Sequence, residues 1–236
     1  MSLGHLQAEQ AETFFTGRFV FSFHSLGIHN PLALSTLLEF RMPTKIRNGR
    51  LNHTDSFGMT THMKLEQRMQ PIQLILSDVD GVMTDGRITY DNQGIETKSF
   101  HVRDGLGIKL WQRAGHHFGI LTARTSHIVK LRASELGVEI LRQGVEQKYP
   151  VAMKIIASLG LKPEQVCYIG DDLADLEVMK QVGLPASVSD GAAEVRGAAK
   201  LVTKAPGGRG AIRELIETIL ENQKRWTDVL VDYSNS

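Results

Sequence analysis

A largely apolar run from Ile72 to Leu76 breaks, after Ser77, into Asp78-Val79-Asp80-Gly81. No other stretch constrains this chain as much. A short buried run ended by glycine reads as a strand of a parallel sheet covered on both faces. In open α/β sheets, ligands bind beyond the carboxyl ends of the strands. Asp78 and Asp80 are therefore expected where chemistry would take place. Two carboxylates this close repel unless a cation or a shared proton neutralises them. Hard oxygen donors around a small opening point to Mg²⁺. Taken alone, the same residues read equally well as an acidic turn with no chemistry.

The chain downstream supports the strand reading. A strand at 87–90, the turn Asp91-Asn92-Gln93-Gly94 and a strand at 95–102 spell a β-hairpin. Asp104 is placed to cap a helix running to Ala114. Core strands are expected at 117–121, 138–141, 166–169, 184–187 and 200–202, with helices near 126–136, 146–159, 192–198 and 211–224 between or after them. Another helix should follow Gly170-Asp171-Asp172 and run through Met179. Strands alternating with helices at this spacing give a doubly wound, Rossmann-like parallel sheet. The hairpin stands out from it as a flap after the first strand. The predicted domain spans 71–225, with a polar, fraying tail at 226–236. Residues 1–70 keep no clear period and read as a poorly ordered extension, with Met59, Met63 or Met69 as alternative starts.

Composition narrows the function classes. The formal net charge is +1, so no bulk basic field recommends nucleic acid. No run of eighteen apolar residues is present to span a membrane. The single cysteine, Cys167, excludes an intramolecular disulfide and suits a reducing compartment, so a cytoplasmic protein is expected. Its place in a buried strand reads as a small hydrophobe.

Four polar clusters sit where core strands end: Asp78/Asp80, Thr122/Arg124, Gln143 to Lys148, and Asp171/Asp172/Asp175. Each has a bland reading, as a helix cap or a solvated helix charge. Together and in this order they resemble the motifs of the haloacid dehalogenase superfamily of Mg²⁺-dependent phosphohydrolases. Asp78-Val79-Asp80-Gly81-Val82 is similar to the first motif, Thr122 to the second, Lys148 to the third, and Gly170 to Asp175 to the fourth. Three further stretches, Asp78 to Gly86, Val102 to Ile108 and Gly207 to Ala211, resemble the 3-deoxy-D-manno-octulosonate 8-phosphate phosphatase family. One departure is Ala123, where that family usually carries glycine. Only 44 positions separate Asp78 from Thr122, and 26 separate Thr122 from Lys148. Both gaps are filled by core elements, leaving no room for a cap domain.

The resemblance implies a phosphatase for an eight-carbon keto-acid sugar phosphate, in lipopolysaccharide precursor synthesis. It casts Asp78 as nucleophile and Asp80 as general acid and base. Thr122 and Lys148 would bind the phosphoryl group. Asp78, the Asp80 backbone carbonyl and Asp171 would hold Mg²⁺, with Asp172 and Asp175 behind them. Arg124 and Arg132 would meet the substrate's carboxylate, and Arg209 would bind substrate from a glycine-rich segment flexible enough to reach a neighbouring subunit's site. Capless relatives assemble as homotetramers whose subunits cover each other's sites, and the hairpin is the expected assembly element. Competing readings are a phosphatase for a nine-carbon analogue, a non-catalytic tetramerising module, and a phospho-receiver domain. In a receiver the acidic pair and the phosphorylated aspartate lie on different strands, unlike Asp78-x-Asp80.

Overall fold

The computed structural model describes residues 63–234. Most of the expected 1–70 extension lies outside the described residues. Its last part forms a short helix, α1 (Leu65–Met69), whose Met69 is buried in the core. Then come β1 (Leu74–Ser77), the two short strands β2 (Thr89–Tyr90) and β3 (Glu96–Thr97), α2 (Val102–Arg113) and β4 (His117–Leu121). They are followed by α3 (His127–Glu135), β5 (Ile140–Arg142), α4 (Lys148–Ser158) and β6 (Val166–Gly170). The chain continues through α5 (Leu176–Met179), β7 (Leu184–Ser187), α6 (Ala193–Ala198), β8 (Leu201–Val202), α7 (Ala211–Asn222) and α8 (Trp226–Ser234).

Six strands form one parallel sheet in the order β5-β4-β1-β6-β7-β8. Every residue of β1 is buried, as its apolar run requires. Its side chains alternate between two cores. Ile75 joins the core covered by α2 and α7, while Leu74 and Leu76 face the core covered by α4 and α5. On α7 the fully buried Ile212, Leu215, Ile216, Ile219 and Leu220 follow a helical stripe. Each such side chain contributes about 2 kcal/mol of burial energy.

Register places the chemistry. Ser77 pairs with Ile120 on one side and Ile169 on the other. The residues that follow, Asp78, Thr122 and Asp171, leave three neighbouring strands at the same edge. Among the described residues, only the hairpin and α2 lie between β1 and β4, and only α3 and β5 lie between β4 and α4. Among the described residues, no cap domain stands over the site.

Four expectations change. The hairpin pairs over two residues per strand rather than the predicted longer runs, and Thr89, Tyr90 and Thr97 in it are exposed. Ile88, Tyr90 and Ile95 are left exposed along it. Asp104 does not cap its own helix, since His101 occupies that position. It instead accepts hydrogen bonds from Gly210 N at 3.1 Å and Arg213 N at 2.8 Å, capping the start of α7 across the core. The expected helix after Asp172 is a single 3₁₀ turn followed by the four residues of α5. Residues 226–234, predicted to fray, form α8, because Val229 finds a buried seat.

Candidate active site

Asp78 sits one residue beyond β1 and is only 9% exposed. Its Oδ1 accepts from Val79 N at 2.7 Å, and its Oδ2 lies 2.9 Å from Lys148 Nζ. Lys148 opens α4 and is buried. Its ammonium is shared with Asp175 Oδ1 at 2.7 Å. Burial alone would depress the lysine's pKa, but Asp78 and Asp175 together outweigh it and hold Lys148 above its usual range.

Asp175 is fully buried and fully used. Its Oδ1 also accepts from the Tyr168 hydroxyl at 2.6 Å. Its Oδ2 accepts from the backbone of Asp171 at 3.0 Å and of Asp172 at 3.3 Å. It thus fixes both the lysine and the loop that carries Asp171. Asp172 is exposed and caps the 3₁₀ turn, accepting from Leu173 N at 2.8 Å. The bland capping reading holds for Asp172, but Asp171 makes no such bond. Its Oδ1 is buried without a hydrogen-bond partner.

Carboxylate oxygens of Asp78, Asp171 and Asp175 lie within 4.8 Å of one another. One lysine does not neutralise three carboxylates. Burial first, then the Asp175 charge, pushes Asp78 up to about 6. Burial first, then the Asp78 charge, pushes Asp171 up to about 7. An orphaned carboxylate oxygen beside excess negative charge, with hard donors only, fits Mg²⁺. With Asp175 committed to Lys148, Tyr168 and backbone amides, Asp78 and Asp171 are the carboxylates free to ligate. Gly81 leaves room for this pair. Its φ is +93°, and a Cβ there would stand 2.0 Å from Asp171 Oδ2.

Thr122 follows β4 directly and is buried, its amide bonded to Arg142 O at 3.0 Å. Its Oγ1 accepts from Arg124 N at 3.4 Å. Ala123 is exposed, and Lys224 is the only non-glycine residue with positive φ among the described residues. The backbone at 123 therefore does not require the family's glycine.

The three arginines part company. Arg124 lies in the loop before α3 rather than on the helix, and reaches the site. Its Nε is 3.6 Å from Asp80 Oδ2, and its Nη2 donates to Glu96 Oε1 at 3.0 Å. Arg132 on α3 turns elsewhere, to Glu135 at 2.8 Å and over the Phe100 ring at 5.6 Å. Arg209 is exposed, but its segment is not a loose tether. Gly207 N donates to Asp190 Oδ1 and Gly208 N to Val82 O, both at 2.9 Å. Gly207 passes so close that a Cβ would fall 1.8 Å from the Gly81 carbonyl oxygen. The segment backs the loop after Asp80 from within the same chain.

Sequence reasoning missed several groups that complete the site. Lys98 donates to Asp80 Oδ1, and Ser126 Oγ donates to Glu96 Oε2 at 2.7 Å. The Ser126 hydrogen bond, together with Arg124 and Lys98, holds the Glu96 carboxyl below its usual range. Tyr168, inside a buried strand, gave no outward signal of its bond to Asp175.

A family model for haloacid dehalogenase-like hydrolases matches residues 131–215. The 3-deoxy-D-manno-octulosonate 8-phosphate phosphatase of Yersinia pestis is 44% identical over 159 residues, across 67% of this chain and 85% of the relative. The enzyme of the same name from Haemophilus influenzae is 38% identical over 159 residues, across 67% and 88%. Among solved structures, the phosphatase of that name from Moraxella catarrhalis, in complex with magnesium ion, phosphate ion and KDO, matches with a TM-score of 0.69. It is 36% identical over 71% of this chain and 97% of that one.

Proposed function

Because this chain belongs to the haloacid dehalogenase-like hydrolases and, within them, to the 3-deoxy-D-manno-octulosonate 8-phosphate phosphatase family, we propose that it hydrolyses that eight-carbon sugar phosphate to the free keto acid and phosphate. The observation that carries the reading is the Asp78 carboxylate, held by Lys148 at 2.9 Å beside the unpartnered Asp171 oxygen. The reaction serves lipopolysaccharide precursor synthesis in the cytoplasm.

Asp78 attacks phosphorus in line, and the bond from phosphorus to the sugar oxygen breaks. Asp80 delivers a proton to that oxygen as it leaves. Water then attacks the aspartyl phosphate while Asp80 takes its proton, releasing phosphate and restoring the Asp78 carboxylate. Lys148 keeps Asp78 ionised and, with Thr122, meets charge developing on the phosphoryl oxygens. Asp175 holds Lys148 in place through both steps. Asp78, Asp171 and the Asp80 backbone carbonyl are the groups to hold Mg²⁺, which when bound offsets repulsion between carboxylate and phosphate.

Arg124 is the arginine best placed for the substrate's carboxylate, which a guanidinium can grip with two hydrogen bonds. Arg209 is a second candidate, and Arg132 meets substrate only if it leaves Glu135. We assign the exposed Ile88, Tyr90 and Ile95 of the hairpin to an assembly surface in a homotetramer that covers the open site. Light scattering on the full chain reads that mass directly, and a monomer at working concentration would refute it.

The test of function is phosphate release from a panel of sugar phosphates, with Mg²⁺ and with a chelator. The expected result is strong preference for the eight-carbon keto-acid phosphate and none of its turnover in chelator. Release from no member of the panel would overturn the reading.

A further inference from the structure

The hairpin carries a charge that none of these roles uses. Lys98 follows β3, and its side chain is only 1% exposed although its neighbours Thr97 and Ser99 face solvent. Burying an ammonium is costly unless it is paired. Here its partners are specific. The Nζ donates to Asp80 Oδ1 and lies 3.5 Å from Glu96 Oε1. Arg124 approaches the same two carboxylates from the other side, 3.6 Å from Asp80 Oδ2 and 3.0 Å from Glu96 Oε1. Asp80, Lys98, Glu96 and Arg124 therefore form a closed ring of alternating charge. Ser126 Oγ anchors Glu96 to the start of α3 at 2.7 Å.

We propose that Lys98 is a positioning residue for Asp80, fixing its carboxylate where it can serve the leaving oxygen and the attacking water. This rests on the phosphatase reading above. Asp80 lies on a loop and its side chain has no helix or strand to orient it. Lys98 holds one of its oxygens and Arg124 approaches the other, so the carboxylate plane is set. The ring holds two cations and two anions and adds no net charge. Lys98 thus differs from Lys148, whose ammonium is shared by the nucleophile and Asp175. Because Lys98 rides on the hairpin, seating the hairpin and aligning Asp80 are a single event.

The test separates the step that needs a proton from the one that does not. With enzyme in excess over p-nitrophenyl phosphate and Mg²⁺ present, nitrophenolate release reports attack by Asp78, because this leaving group departs without protonation. Phosphate release from the same mixture reports hydrolysis of the aspartyl phosphate, which needs Asp80. In Lys98→Met, nitrophenolate release should stay within about threefold of wild type while phosphate release slows about a hundredfold. Turnover of the sugar phosphate should fall by a similar factor, and Lys98→Arg should recover most of it. Thermal unfolding checks that the variants fold; if Lys98→Met does not, Lys98→Gln carries the same comparison. Equal slowing of both releases, or no slowing, overturns the proposal. A wild type that cleaves p-nitrophenyl phosphate but not the sugar phosphate counts against the substrate reading alone, and the split between the two releases still decides the role of Lys98.

Discussion

The four carboxylates of the site differ only in what surrounds them. Asp78 has one lysine and one amide, Asp171 has an oxygen with nothing, Asp175 is saturated, and Asp80 is held by the hairpin. On the proposed mechanism, their neighbours divide the labour into nucleophile, ligand, support and proton carrier. Gly81 makes this division possible by letting Asp171 approach the turn. Gly81→Ala would force a strained backbone and drive a methyl group into that carboxylate. Mg²⁺ affinity, read by calorimetric titration, should fall, and turnover should drop about a hundredfold or more. Unchanged Mg²⁺ affinity would contradict the ligand assignment of Asp171. By contrast, Ala123→Gly should change little, because that position has no positive φ to relieve.

At the scale of elements, the strands were legible because each is a short apolar run, and Asp78, Thr122 and Asp171 fall where those runs stop. Lys148 was legible only through the order of motifs, since a lysine at a helix start usually faces water. The hairpin's share of the site was not legible. Glu96 and Lys98 are ordinary polar residues in and just after a two-residue strand; the value of Glu96 comes from Arg124 and Ser126, some thirty residues away, and that of Lys98 from Asp80. Asp104 misled for the same reason. A local rule placed it as a cap for α2, but its buried carboxylate closes the amides of α7 across the core. Burial raises its pKa, and those amide bonds pull the other way. Asp104→Ala should leave both amides unpaired and cost about 2 kcal/mol. Urea unfolding with Mg²⁺ present measures this. An unchanged midpoint would show that α7 does not depend on the cap.

For the whole molecule, the acidic site trades stability for chemistry. Asp78 and Asp171 titrate near 3.8 when solvated, but folding raises them to about 6 and about 7. Between those limits the metal-free folded protein holds protons that the unfolded chain has released. Its stability from these groups is therefore full below pH 3.8 and is lost as pH rises through about 6 and about 7. On the proposed ligand set, Mg²⁺ binding to the deprotonated pair should reverse the trend. Thermal midpoints in Mg²⁺ and in chelator should diverge as pH rises from about 5 to about 8. A constant gap would mean that the acids are not the metal's partners. The whole assembly of strand ends, hairpin and lysine makes sense if Asp78 becomes covalently phosphorylated. The most direct measurement is rapid acid quench of the full chain turning over its sugar phosphate with Mg²⁺, followed by peptide mapping of the phosphoryl adduct by mass spectrometry. The adduct is predicted on Asp78, and absent from Asp78→Asn together with turnover. Sustained turnover by Asp78→Asn, with deamidation back to aspartate excluded, or an adduct on any other residue, would contradict the account.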